Sequence, residues 1–104
     1  MKKTITEIKR ELRADGMYLF PDATRVVGNL GTTILPPVNN GKEYLAGYYQ
    51  AKKGNVVQEK KAVSKRNAAA KFLRAQGFQV WTEPMSSMGG SSTSECYLSA
   101  ARRK

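Results

Sequence analysis

The chain contains no histidine and a single cysteine. Without histidine it lacks the side chain that most often works as a general base near neutral pH, and also the commonest metal ligand. A zinc site needs several Cys or His ligands, so Cys96 alone cannot build one. One thiol also excludes an internal disulfide, which fits a reducing, cytoplasmic setting. Acids are scarce as well, with 8 Asp and Glu against 18 Lys and Arg. Asp22, Glu43, Glu83 and Glu95 are scattered, and catalysis would require them to converge from distant positions. The expectation is a non-catalytic protein with no metal and no cofactor. No apolar run approaches the length needed to cross a bilayer. Lys2 and Lys3 are followed by Glu7, Lys9, Arg10 and Glu11 rather than by an apolar stretch, so neither export nor a membrane partner is expected.

What the chain does have is concentrated positive charge. Of a formal net charge of +10 over 104 residues, +7 falls between residues 51 and 76, where eight basic residues face one acid, Glu59. The basic residues are Lys52, Lys53, Lys60, Lys61, Lys65, Arg66, Lys71 and Arg74. Charge gathered in one stretch creates a local field that selects polyanions, and nucleic acid, DNA or RNA, is the commonest of these. A lysine face kept for solubility would explain the charge alone, but not its concentration in a chain that is otherwise nearly balanced.

Length and a 40% hydrophobic content indicate one folded domain over residues 1–104. Thr4-Ile5-Thr6-Glu7 has capping-box spacing, Ile5, Ile8 and Leu12 recur at helical intervals, and Gly16 is a stop. Together they predict a helix over 4–15. Residues 17–20 read as a strand closed by Pro21-Asp22, with further β-branched runs at 24–27 and 32–35. Asn39-Asn40-Gly41 is a turn signal. Residues 43–52 form the longest predicted strand, with Tyr44, Ala46 and Tyr48 on one face and Leu45, Gly47, Tyr49 and Ala51 on the other. After a turn at Lys53-Gly54-Asn55, a second helix is expected to open at Lys60 or Lys61 and run to about Gln76, with Gly77 as its stop. A strand at 78–82, a mobile loop at 84–94, a strand through Tyr97-Leu98 and a basic tail at 101–104 complete the reading.

Leu12-Arg13-Ala14-Asp15-Gly16 is echoed by Leu73-Arg74-Ala75-Gln76-Gly77, and the echo continues with Met17 and Phe78, Leu19 and Val80, and Phe20 and Trp81. Tyr44-Leu45 has a looser echo in Tyr97-Leu98. An α-β-β pseudo-repeat accounts for this, as does the shared chemistry of any helix-glycine-strand junction. Both lead to an α+β fold with two helices on one face of an antiparallel sheet.

On a helical wheel Ala62, Ala69 and Leu73 point to the core with Phe72 at the margin. Lys61 and Lys65 share one flank, Asn67, Lys71 and Arg74 face outward, and Arg66 lies close enough to the apolar stripe to snorkel or pair with an acid. The start of this helix, with unpaired N–H groups beside Lys60, Lys61, Lys52 and Lys53, is the expected phosphate site. Tyr18, Tyr44, Tyr48, Tyr49 and Trp81 fall on predicted strands and offer rings for stacking on unpaired bases, or for cross-strand packing.

The run Lys65-Arg66-Asn67-Ala68-Ala69-Ala70-Lys71-Phe72-Leu73 resembles the C-terminal helix of double-stranded RNA-binding domains. That resemblance implies a lysine-rich helix gripping phosphates across a duplex groove, with an alanine-rich face on the sheet. The family's paired lysines would fall on Lys61 and Ala62, so one is replaced. The expected function is therefore backbone binding of nucleic acid, read through charge and duplex shape. The rival is a small inhibitor or adaptor docking on an acidic protein surface of a larger enzyme.

Overall fold

A computed structural model describes residues 2–20, 42–86 and 92–103. The predicted runs at 24–27 and 32–35 and the turn at Asn39-Asn40-Gly41 lie outside the described residues. The element order is α1 (Ile5–Ala14), β1 (Tyr18–Leu19), β2 (Lys42–Lys52), α2 (Val56–Ala75), β3 (Gln79–Thr82) and β4 (Thr93–Arg103). The four strands form one antiparallel sheet in the order β1-β2-β4-β3. The fold is α+β, as expected.

Helix α1 starts where its capping box places it. The Thr4 hydroxyl accepts from the Glu7 N–H, and the Glu7 carboxylate accepts from the Thr4 N–H. Both helices end in the same way. Gly16 and Gly77 adopt φ of +99° and +90°. The N–H groups of Gly16 and Met17 donate to the carbonyls of Arg13 and Leu12, and those of Gly77 and Phe78 donate to Arg74 and Leu73, all at 3.0 Å. This paired bonding is a Schellman stop, and the positive φ favours glycine at both positions.

Strand alternation divides the sheet residues between two faces. Leu45, Tyr49 and Ala51 of β2 and Cys96, Leu98 and Ala100 of β4 share one face and are buried. They belong to one apolar cluster with Ile8 and Leu12 of α1 and with Ala62, Ala69, Ala70 and Leu73 of α2. Gly47 belongs to the same face, where β1 approaches so closely that a β-carbon would lie 1.9 Å from the Tyr18 carbonyl oxygen.

The pseudo-repeat has a structural counterpart. Tyr18 pairs with Tyr48 and Leu19 with Gly47. Residues sixty-one positions beyond the first of each pair and fifty-three beyond the second pair in turn: Gln79 with Ala101, and Val80 with Ala100. The two offsets are those of the sequence echoes. They place a local two-fold axis between Ala46 and Ser99, which pair with each other at the centre of the sheet.

Three expectations need correction. Helix α2 opens at Val56, not at Lys60 or Lys61, because Asn55 caps it, its side chain accepting from the Gln58 N–H at 3.1 Å. The predicted loop at 84–94 is shorter at both described ends: Ser86 pairs with Glu95, and Thr93 and Ser94 are in β4. The predicted tail at 101–104 is strand through Arg103. Arg102 in particular is mostly buried. It pairs with Glu43 at 2.9 Å, donates to the carbonyls of Gln76 and Lys3, and lies 4.5 Å from the centre of the Phe78 ring. Sheet pairing extends this far because β2 provides eleven residues of partner strand.

Gly47→Ala should destabilise the fold by about 3 kcal/mol, because the clash is with backbone that no rotamer change relieves. Urea unfolding measures this, and an unchanged midpoint would contradict the close approach of β1 to β2.

Candidate nucleic-acid interface

The basic segment spans the β2–α2 turn and the whole of α2. Lys52 and Lys53 are exposed at the end of β2 and in the turn. Lys60, Lys61, Lys71 and Arg74 are exposed on α2, and none of these six makes an ion pair among the described residues. At 100° per residue, Lys60, Asn67, Lys71 and Arg74 occupy one narrow sector of α2 pointing away from Ala62, Ala69 and Leu73. Lys61 falls on the other flank, one turn before Lys65.

Two predicted phosphate contacts are already engaged inside the protein. The Lys65 ammonium donates to the Asp15 carbonyl at 2.9 Å and lies 3.8 Å from the Asp15 carboxylate. It thereby ties α2 to the end of α1. Arg66 does not pair with an acid. Its guanidinium donates to the Glu83 carbonyl and to the Asn67 side chain, linking α2 to the residue after β3.

The expected phosphate pocket at the helix start is also changed. With Val56 as the first helical residue, Lys60 and Lys61 lie in the second turn. Glu59 now lies in the first turn, where its carboxylate accepts from the Gly54 N–H at 3.2 Å. The Asn55 side chain and Glu59 therefore take up part of the donor set that a phosphate would use. The positions compared with the paired lysines of double-stranded RNA-binding domains are likewise in the second turn, and Ala62 there is buried. What remains for a polyanion is the exposed stripe along α2 together with the turn lysines.

The opposite face of the sheet carries most of the rings. Tyr18, Tyr48 and Tyr97 form a row across β1, β2 and β4, with ring centres 4.9 and 5.3 Å apart. Phe20 packs against all three, its ring centre 5.5 Å from Tyr18, 5.8 Å from Tyr48 and 6.3 Å from Tyr97, and parallel to the last. Tyr44 and Trp81 share this face by alternation. Tyr49 does not: it is buried in the apolar cluster, and its hydroxyl donates to Asp15 at 3.0 Å. Phe20 and Tyr97 complete this face; both lie in segments expected to be strand, at 17–20 and through Tyr97-Leu98, and the repeat links them to Trp81 and Tyr44.

Of the candidate acids, Glu43 and Glu95 are apart. Glu43 is held by Arg102, while Glu95 lies toward the other end of the β2–β4 pair, opposite Gln50, and accepts from the Thr93 hydroxyl. Asp22 lies outside the described residues. Among the described residues no group of three or more potential ligands is placed to hold a metal ion, and no helix is long and apolar enough to cross a membrane.

Burial raises the pKa of several groups, keeping them protonated to higher pH. The Tyr49 phenol is pushed well above its ordinary 10.0 by burial, then by its hydrogen bond to Asp15 and that carboxylate's charge. Burial is also the main cause of the upward shifts of Tyr48, Tyr97 and the Cys96 thiol. Each group is neutral when protonated, and the folded state holds its proton to higher pH than the unfolded state does. Their contribution to stability is therefore complete below the ordinary thiol and phenol values of 9.0 and 10.0 and is lost as pH rises through them. The urea midpoint should fall above about pH 9–10. Tyr49→Phe should lower stability by roughly 1 kcal/mol at pH 8 and make the alkaline decline shallower. Parallel profiles for the two proteins would contradict this assignment.

Compared with known proteins, the chain matches no family model, no curated protein and no solved structure.

Proposed function

We propose that this protein binds nucleic acid without catalysing a reaction on it, gripping the phosphate backbone of a duplex through the outward face of α2 and the β2–α2 turn. The observation that carries this reading is the stripe of Lys60, Lys71 and Arg74, with Asn67 among them, exposed and outside every ion pair among the described residues. From Lys60 to Arg74 the stripe runs about 21 Å along a rigid axis. That is wider than either groove of a B-form duplex, so its ends reach phosphates on both sides of one. Lys52 and Lys53 extend the field past the start of the helix, and Lys61 widens it on one flank.

This reading assigns the eight basic residues to two roles. Lys52, Lys53, Lys60, Lys61, Lys71 and Arg74 neutralise phosphates, while Lys65 and Arg66 hold the helix in place. Such contacts position a protein on a duplex without reading its sequence.

If four to six of these six cations contact phosphates, the logarithm of affinity should fall with the logarithm of salt concentration at a slope of roughly −4 to −5. Replacing both Lys60 and Lys71 by alanine should make that slope shallower by about 2 and leave the urea midpoint nearly unchanged. Lys65→Ala and Arg66→Ala should lower the midpoint and leave the slope of the remaining folded protein as it is. Fluorescence anisotropy with a labelled duplex at several salt concentrations measures these slopes. A flat salt response, or equal slopes for the double variant and the parent, would overturn the proposal.

A further inference from the structure

The aromatic face of the sheet lies on the side away from the apolar cluster, and its composition is unusual for a packing surface. Among the described strand residues that face carries no valine, leucine, isoleucine or methionine. Every large apolar group on it is a ring, whereas the buried face sets Leu19, Leu45, Leu98 and Val80 beside one ring, Tyr49, with small residues between them. A surface made of rings alone, most of them phenols, presents flat faces with polar edges to a partner that is itself flat and wet.

We propose that this face is a second nucleic-acid surface, on which unpaired bases stack against the Tyr18–Tyr48–Tyr97 row. This rests on the reading that the chain binds nucleic acid, and extends it from the phosphate backbone to single-stranded segments. Three observations support it. Tyr18 is 49% exposed on the edge strand, so its ring is open to a base, and Tyr48 and Tyr97 are only partly buried behind it. The ring centres lie 4.9 and 5.3 Å apart, so a base seated on Tyr18 is within reach of the next ring. Positive charge lies at both ends: Lys52 and Arg103 are on this same face at opposite ends of the β2–β4 pair, exposed and without ion pairs among the described residues, and the one acid on the face of that pair, Glu95 between Lys52 and Tyr97, is buried. Base-aromatic stacking tolerates any sequence, because every base has a π-face.

The test compares two single-stranded probes of equal length and equal phosphate count: a thymidine decamer and a decamer of abasic sugar phosphates. With the full chain the thymidine probe should bind about tenfold more tightly and quench Trp81, the only tryptophan, which shares the face. Tyr18→Ala should remove most of that preference without changing the affinity for the abasic probe, and Tyr18→Phe should retain it. Equal affinity of the parent for both probes would overturn the stacking surface while leaving the phosphate grip intact. Failure to bind either probe or a duplex at low salt would overturn both. Concentration-dependent dimerisation that is lost in Tyr18→Ala, with no preference between the probes, would assign the face to a second copy of this chain instead.

Discussion

The pairing of β2 with β4 along eleven residues is the constraint on which the rest of the structure depends. Its register puts Leu45 beside Ala100, Gly47 beside Leu98 and Tyr49 beside Cys96, so one face of the central pair is continuously apolar. Because side chains alternate strictly, the same register commits Tyr44, Tyr48 and Tyr97 to the other face. A slip of one residue would expose the leucines and bury the tyrosines. Gly47 fixes the flank of this pair by letting β1 approach within a distance that excludes any side chain. Arg102 fixes its end by gathering Glu43, Gln76, Lys3 and Phe78 around one buried guanidinium.

The local two-fold axis relates more than backbone. It carries Leu12 to Leu73, Met17 to Phe78 and Gly16 to Gly77, which share the same helix stop. It also carries Phe20 to Trp81 and Tyr44 to Tyr97, which share the ring-bearing face. Charge does not follow this symmetry. Helix α1 has ten residues and is partly neutralised, with Lys3 paired to Glu11 at 2.6 Å, whereas α2 has twenty and carries an unpaired stripe. The two halves share a scaffold, and only the second has the length and charge to follow a polyanion.

Helix α2 is better explained by its surroundings than by its own periodicity. Alanines at 62, 69 and 70 are small enough to bring it close to the sheet, and Leu73 fills the space between. Lys65 and Arg66 then brace it on either side, one on the end of α1 and one on the residue after β3. The remaining cations of α2 stay outward and make no ion pair among the described residues. The basic character of the surface thus follows from a shortage of partners as much as from an abundance of lysine.

Much was legible in the sequence: the caps of α1, both glycine stops, the face assignment of β2, the core positions of α2 and the concentration of charge. Each depends on local geometry, where spacing of three to four residues or of two determines what faces what. The start of α2 was misplaced because Val56 and Val57 suggest strand, and only the Asn55 cap and the Glu59 contact with Gly54 show that the helix already includes them. The roles of Lys65 and Arg102 were not legible, since their partners lie 50 and 59 residues away; for Arg66, expected to snorkel or pair with an acid, the partner is a backbone carbonyl 17 residues away. The sequence by itself determined which elements form and how much charge they carry. Only the tertiary structure decided which cations are occupied and which rings share a row, because both depend on distances between residues that the chain's order keeps apart.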